Sequence, residues 1–205
     1  DIALGAIQVF GTFLSIFLGV NVVNREIDRK TVYSVLSKPV ARSGYLLGKI
    51  LGLWAAVLFS LGLMLAAFCL ENLIISGPWG AILFETFALM LVEMLLLASF
   101  SVMAGTFTSP VVSSLMAFTL YFSGHLSREL YFFTNKENNG VFLNTAGRVL
   151  YFLLPNLDKL NLKTQASIMQ TVDLGTVLGN AVYGVVYALI FFLVGVSVFA
   201  KRDLK

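Results

Sequence analysis

Long apolar runs alternate with short polar breaks along the whole chain, and the spacing predicts helices that cross a bilayer. Residues 2–23 carry no charged side chain. At 1.5 Å per residue such a run exceeds the roughly 30 Å of hydrocarbon that a span must cross. Further apolar runs cover residues 50–71, 81–103, 111–125 and 175–200, of which 111–125 is short. Ser76-Gly77-Pro78-Trp79 reads as a turn with an interfacial Trp, and residues 105–110 break the pattern between the third and fourth runs. The prediction is an all-α integral membrane protein, a single transmembrane domain over residues 1–205 with five spans visible. No initiator Met or basic signal region precedes Asp1. The chain is therefore read as lacking its N-terminus, with an earlier span making six.

Two polar segments interrupt the runs, residues 24–49 and 125–174. In the first, Ile27, Thr31, Val35 and Val32, Leu36 recur at helical spacing, while Arg25, Arg29 and Lys30 occupy other faces. Pro39 disfavours helix at Lys38, so a short helix ends near Ser37. Ser43 is placed to cap a second helix that passes through Gly48 into the next span. In the second segment, residues 141–154 are apolar but too short to span, contain Arg148 and stop at Pro155. They predict an amphipathic helix on the outer surface, capped at Asn144 or Thr145, that covers the span ends or acts as a lid over a substrate path.

Composition sharpens the class. The chain is 58% hydrophobic and 12% charged, about half the charged fraction of an ordinary soluble domain. The net charge of +3 is concentrated in two places, which argues against nucleic acid and for orientation in a lipid bilayer. Residues 24–49 hold six of the fourteen Lys and Arg against two acids, Glu26 and Asp28. If that segment is cytoplasmic, residues 71–80, which have no Lys or Arg, fall outside, and the Lys201-Arg202-Asp203-Leu204-Lys205 tail falls inside. Both basic clusters then share one side, as the positive-inside rule requires, and the C-terminus is cytoplasmic. On pattern alone the basic segment also reads as an anchor for anionic headgroups.

Little else in the chain looks like chemistry. Cys69 is the one cysteine and lies in an apolar run, so no disulfide forms within the chain. His125, the one histidine, has no His or Cys at metal-ligand spacing, so no metal site and no catalytic group are predicted. Gly48-Lys49 lacks the upstream glycine and the following Ser or Thr of a phosphate loop, so the chain has no nucleotide site of its own. Glu85 and Glu93 are the main intramembrane acids and project within about 80° of one another on a helix. A carboxylate at that depth must be paired, protonated or facing water. The pair reads either as a polar stripe along a substrate path or as interhelical hydrogen bonding, with Gln8, Asn21 and Ser99 as weaker polar contacts of the second kind.

The basic segment resembles the permease subunits of type-2 ABC transporters. The resemblance rests on Arg25-Glu26-Ile27-Asp28-Arg29-Lys30-Thr31, then Leu36-Ser37-Lys38-Pro39-Val40-Ala41-Arg42, then Tyr45-Leu46-Leu47-Gly48-Lys49. Leu154-Pro155-Asn156-Leu157 looks like the branch associated with multicopper enzyme or nitrous oxide reductase maturation. The resemblance implies six spans, a permease dimer, here a homodimer, and two copies of a cytoplasmic ABC ATPase that bring ATP and Mg. It also implies a bacterial inner-membrane location. Arg25, Glu26, Arg29, Lys30, Thr31, Val35 and Leu36 would form the ATPase-coupling helix. Lys38, Pro39, Arg42, Gly48 and Lys49 would form the elbow that returns to the membrane.

Two functions follow, a transport subunit driven by the ATPase, and a membrane scaffold that passes force to a periplasmic client without moving a solute. An ion-coupled carrier using Glu85 and Glu93 is the weaker third, since nothing resembles an ion-binding broken helix.

Overall fold

A computed structural model describes residues 2–28, 42–75, 77, 80–127 and 154–201. Its regular elements are α1 (Ile2–Asp28), α2 (Arg42–Ile75), α3 (Ala81–Gly105), α4 (Pro110–His125), a 3-10 turn (Leu157–Leu160), α5 (Lys163–Ser167) and α6 (Leu174–Lys201). No strand occurs among the described residues. Four of these helices, α1, α2, α3 and α6, are long and apolar enough to cross a membrane. The 16 residues of α4 reach only about 24 Å, short of a hydrocarbon core of about 30 Å.

Helix bounds differ from the sequence expectation where no residue compels a stop. α1 continues past Val23 to Asp28, because Asn24 to Asp28 contains neither Gly nor Pro. The start of the basic segment is thus the last turn of α1. α2 extends through Glu71 and Asn72 to Ile75 and halts only before Gly77. Ser43 lies inside α2 rather than ahead of it, since Arg42 is already helical. The Lys38-Pro39 elbow and residues 141–153 of the expected surface helix lie outside the described residues.

α3 is the central element. It buries 72% of its most apolar stretch, against 17% for α2 and 22% for α6, and packs on α1, α2, α4, α6 and the 157–167 segment. α1 meets it through Gln8, Gly11, Thr12, Ser15 and Gly19, all buried and spaced three or four residues apart on one helix face. A Cβ on Gly19 would lie 2.7 Å from Ser101 Cβ and 2.8 Å from the Ala98 carbonyl oxygen. The two backbones therefore approach closely, as small residues permit between membrane helices. Phe59 and Leu63 on α2, and Leu178, Val182 and Leu193 on α6, are exposed. Such an apolar exterior suits lipid rather than water.

The turn between α3 and α4 satisfies its own polar groups. Thr108 Oγ1 donates to the Ala104 carbonyl at 2.7 Å and lies 2.6 Å from Ser113 Oγ, and Pro110 opens α4 where a missing N–H costs nothing. At the far end of α4 the chain dips back between the helices. Leu157 and Leu160 of the 3-10 turn are fully buried. Leu157 sits against Gly124, and Leu160 sits against Gly184, which also adjoins Val92. Gly184 and Val92 both lie roughly 15 Å inside the ends of their helices, so this re-entrant segment occupies the depth that the short α4 leaves unfilled. Asn156 N–H donates to Tyr183 Oη at 2.8 Å, and Lys159 Nζ stands 4.8 Å from the centre of the Tyr183 ring.

Candidate functional site: a buried polar cluster under the re-entrant segment

Glu93 lies near the middle of α3, on the side facing α1 and α4, and is fully buried. Its neighbours come from sequence positions far away. Gln8 Nε2, one or two turns into α1, donates to Glu93 Oε2 at 3.1 Å and to Oε1 at 3.3 Å. His125 ends α4, and its Nε2 lies 3.2 Å from Gln8 Nε2 and 3.5 Å from Glu93 Oε1. The short α4 terminates at the depth of Glu93, which brings a helix-terminal histidine to a mid-helix carboxylate.

The imidazole is held from its other side. His125 Nδ1 lies 3.1 Å from the Tyr121 carbonyl oxygen one turn back. A carbonyl oxygen only accepts, so Nδ1 carries the hydrogen. The Tyr121 and His125 rings pack with centroids 4.6 Å apart. Around this triangle Thr12 Oγ1 donates weakly to Met94 Sδ at 3.8 Å. Gln8 Oε1 and Ser15 Oγ are buried without hydrogen-bond partners among the described residues. The charges of Lys163 on α5 and Asp158 on the 3-10 turn act on the cluster from the re-entrant segment. The arrangement binds three helices through polar contacts in an otherwise apolar core, where an unpaired polar group is costly.

The two acids singled out from the sequence part company. Glu93 is in the cluster, whereas Glu85 is half-buried with no hydrogen-bond or ion-pair partner among the described residues. Of the weaker polar candidates, Gln8 is the partner of Glu93. Ser99 Oγ accepts from Trp54 Nε1 at 3.1 Å and so ties α2 to α3. Asn21 instead bonds the Phe17 carbonyl of its own helix at 2.7 Å. His125 and Tyr121 were not legible as site residues, because the signal was a single histidine at the end of an apolar run.

The expected coupling and elbow residues are only partly in view. Arg25 and Glu26 lie on the last turn of α1, and Arg42, Gly48 and Lys49 on the first turns of α2. Arg29, Lys30, Thr31, Val35, Leu36, Lys38 and Pro39 lie outside the described residues. No group of three or more His, Cys, Asp or Glu gathers among the described residues to hold a metal.

Compared with known proteins, residues 4–204 match the family described as ABC-2 family transporter protein. No curated protein and no solved structure matches the chain.

Proposed function

The chain belongs to the ABC-2 transporter family and is a transmembrane permease component of an ABC transporter; on that premise we propose that a separate cytoplasmic ATPase drives it, two copies to a permease homodimer in a bacterial inner membrane. The match over residues 4–204 carries this reading. Residues 1–205 contain no phosphate-loop pattern, which fits ATP being bound by a partner.

In this reading Arg25, Glu26, Arg29, Lys30, Thr31, Val35 and Leu36 dock on the ATPase, which brings ATP and Mg. Lys38, Pro39, Arg42, Gly48 and Lys49 carry the chain back into α2. Movement of the docking segment reaches the membrane through α1, whose 27 residues run as one helix, about 40 Å long. Gln8 stands near one end of that rod and the docking segment follows the other. The substrate path runs between permease copies, and motion at the Glu93 cluster accompanies its opening.

Co-expression with the ATPase tests the assignment. Arg29→Glu combined with Val35→Asp should abolish ATPase co-purification and transport while the spans remain folded. Retention of both activities by this double variant would remove the coupling role. ATP hydrolysis stimulated by a periplasmic client, with no solute accumulated in vesicles, would replace transport with force transmission.

A further inference from the structure

We propose that the groove between the start of α1 and the end of α2 seats one acyl chain of a phospholipid whose primary ammonium headgroup pairs with Glu71. The inference is independent of the ATPase reading.

The groove holds about 260 Å3. Three alanines flank it, Ala3 and Ala6 on α1 and Ala67 on α2, and their short side chains leave the space open. Ile7 and Phe68 form its floor, half-buried against the core around α3. Gly11 of α1 adjoins Leu61 of α2, and beyond that contact the two helices run antiparallel, so Ala3 lies at the level of Glu71. Seven residues of helix separate Phe10 from Ala3 and Met64 from Glu71, a rise of about 10 Å. That length is about two-thirds of the hydrocarbon depth of one leaflet. An acyl chain aligned with the spans matches it.

Charge selects the headgroup. Glu71 is the one polar side chain lining the groove. It is exposed and has no hydrogen-bond or ion-pair partner among the described residues. Residues 2–23 and 50–75 contain no Lys or Arg, so neither helix answers the carboxylate from within. The site is an apolar slot with one negative charge at its mouth. A cationic headgroup is attracted there and an anionic one repelled. A primary ammonium also donates N–H hydrogens to the carboxylate, in bonds stronger than those between neutral groups.

A packed helix suits the slot less well. It is at least about 10 Å across, and Phe10, 65% exposed beside the groove, holds so broad a body off the floor. A helix seated there would also cover Glu71, and a carboxylate covered within a membrane must be given a partner. An acyl chain reaches the floor and leaves Glu71 at the level of the headgroups.

The full chain in phosphatidylcholine nanodiscs tests this with trace phosphatidylethanolamine or phosphatidylglycerol, each carrying the same diazirine on its acyl chain. After photolysis, phosphatidylethanolamine should label the peptide around Met64 and Ala67 about two- to fivefold more than phosphatidylglycerol. Glu71→Gln should bring the two lipids level. Ala67→Phe should fill the slot and lower labelling there by either lipid, with the thermal midpoint unchanged. Equal labelling of the unaltered chain by both lipids would overturn the proposal and leave only unselective lipid. So would a preference that survives Glu71→Gln. Labelling by neither lipid would overturn it as well, and would mean that a second copy or another helix fills the slot. The comparison of lipids is made on the unaltered chain, so it decides the matter even if Ala67→Phe fails to fold.

Discussion

Leu160 of the re-entrant segment and Gly184 of α6 meet as knob and socket. A Cβ on Gly184 would lie 3.1 Å and 3.3 Å from the two methyl carbons of Leu160, and closer still to Val92. Since Leu160 is fully buried, the absence of a side chain at position 184 is what seats the segment between α3 and α6.

Gly184→Val should unseat it. The added branches have nowhere to go, and overpacking of this kind costs about 1–3 kcal/mol. The measurement is thiol labelling of Leu160→Cys with and without Gly184→Val. Labelling should be slow in the single variant and fast in the double, and equal rates would show that the socket does not hold the segment.

Gly19→Val should separate α1 from α3 at their closest approach, where any Cβ collides with Ser101 and the Ala98 carbonyl. The expected loss is again about 1–3 kcal/mol, seen as a lower thermal midpoint in detergent. Gly5→Val is the control, since nothing lies within 4 Å of a Cβ there. Equal midpoints for the two variants would contradict the close packing.

Gln8→Leu removes the amide that donates to Glu93 and approaches His125. Leaving buried partners unsatisfied costs about 1–3 kcal/mol. Gln8→Glu keeps the length but loses both hydrogens, and should fall at least as far in thermal stability. A Gln8→Leu protein as stable as the parent would mean that the amide contributes nothing to the joint.

Tyr183→Phe takes away the hydroxyl that accepts from Asn156 N–H at 2.8 Å while keeping the ring under Lys159. Losing a single hydrogen bond of this type costs about 1 kcal/mol. Proton exchange at the Asn156 amide should speed up while exchange at the mid-helix amides of α3 stays unchanged. An unchanged Asn156 rate would place its protection elsewhere.

Legibility followed the range of the interactions. Spans are written in runs of neighbouring apolar residues, so α1, α3 and α6 began close to their expected starts. Their far ends were less legible where ordinary helix formers continued the pattern, as Asn24 to Asp28 did for α1. Glu93 stood out as an acid within an apolar run, and Gln8 was visible as a polar residue in another. Nothing local joined them, since 85 residues separate the two. The apparent kinship of Glu85 with Glu93 was a matter of helical angle alone, and α3 buries one much more fully than the other.

By itself, the order of apolar and polar residues determined that the molecule is all-helical and that it carries membrane spans. Those properties depend on composition and on spacing within a few turns of helix. Only the tertiary structure decided that His125 joins Gln8 and Glu93, and that Leu157 and Leu160 enter glycine sockets in α4 and α6. Both outcomes depend on how far α4 reaches into the bundle and on which helix faces turn towards α3. Packing among distant segments sets those two quantities, and no local stretch of sequence encodes them.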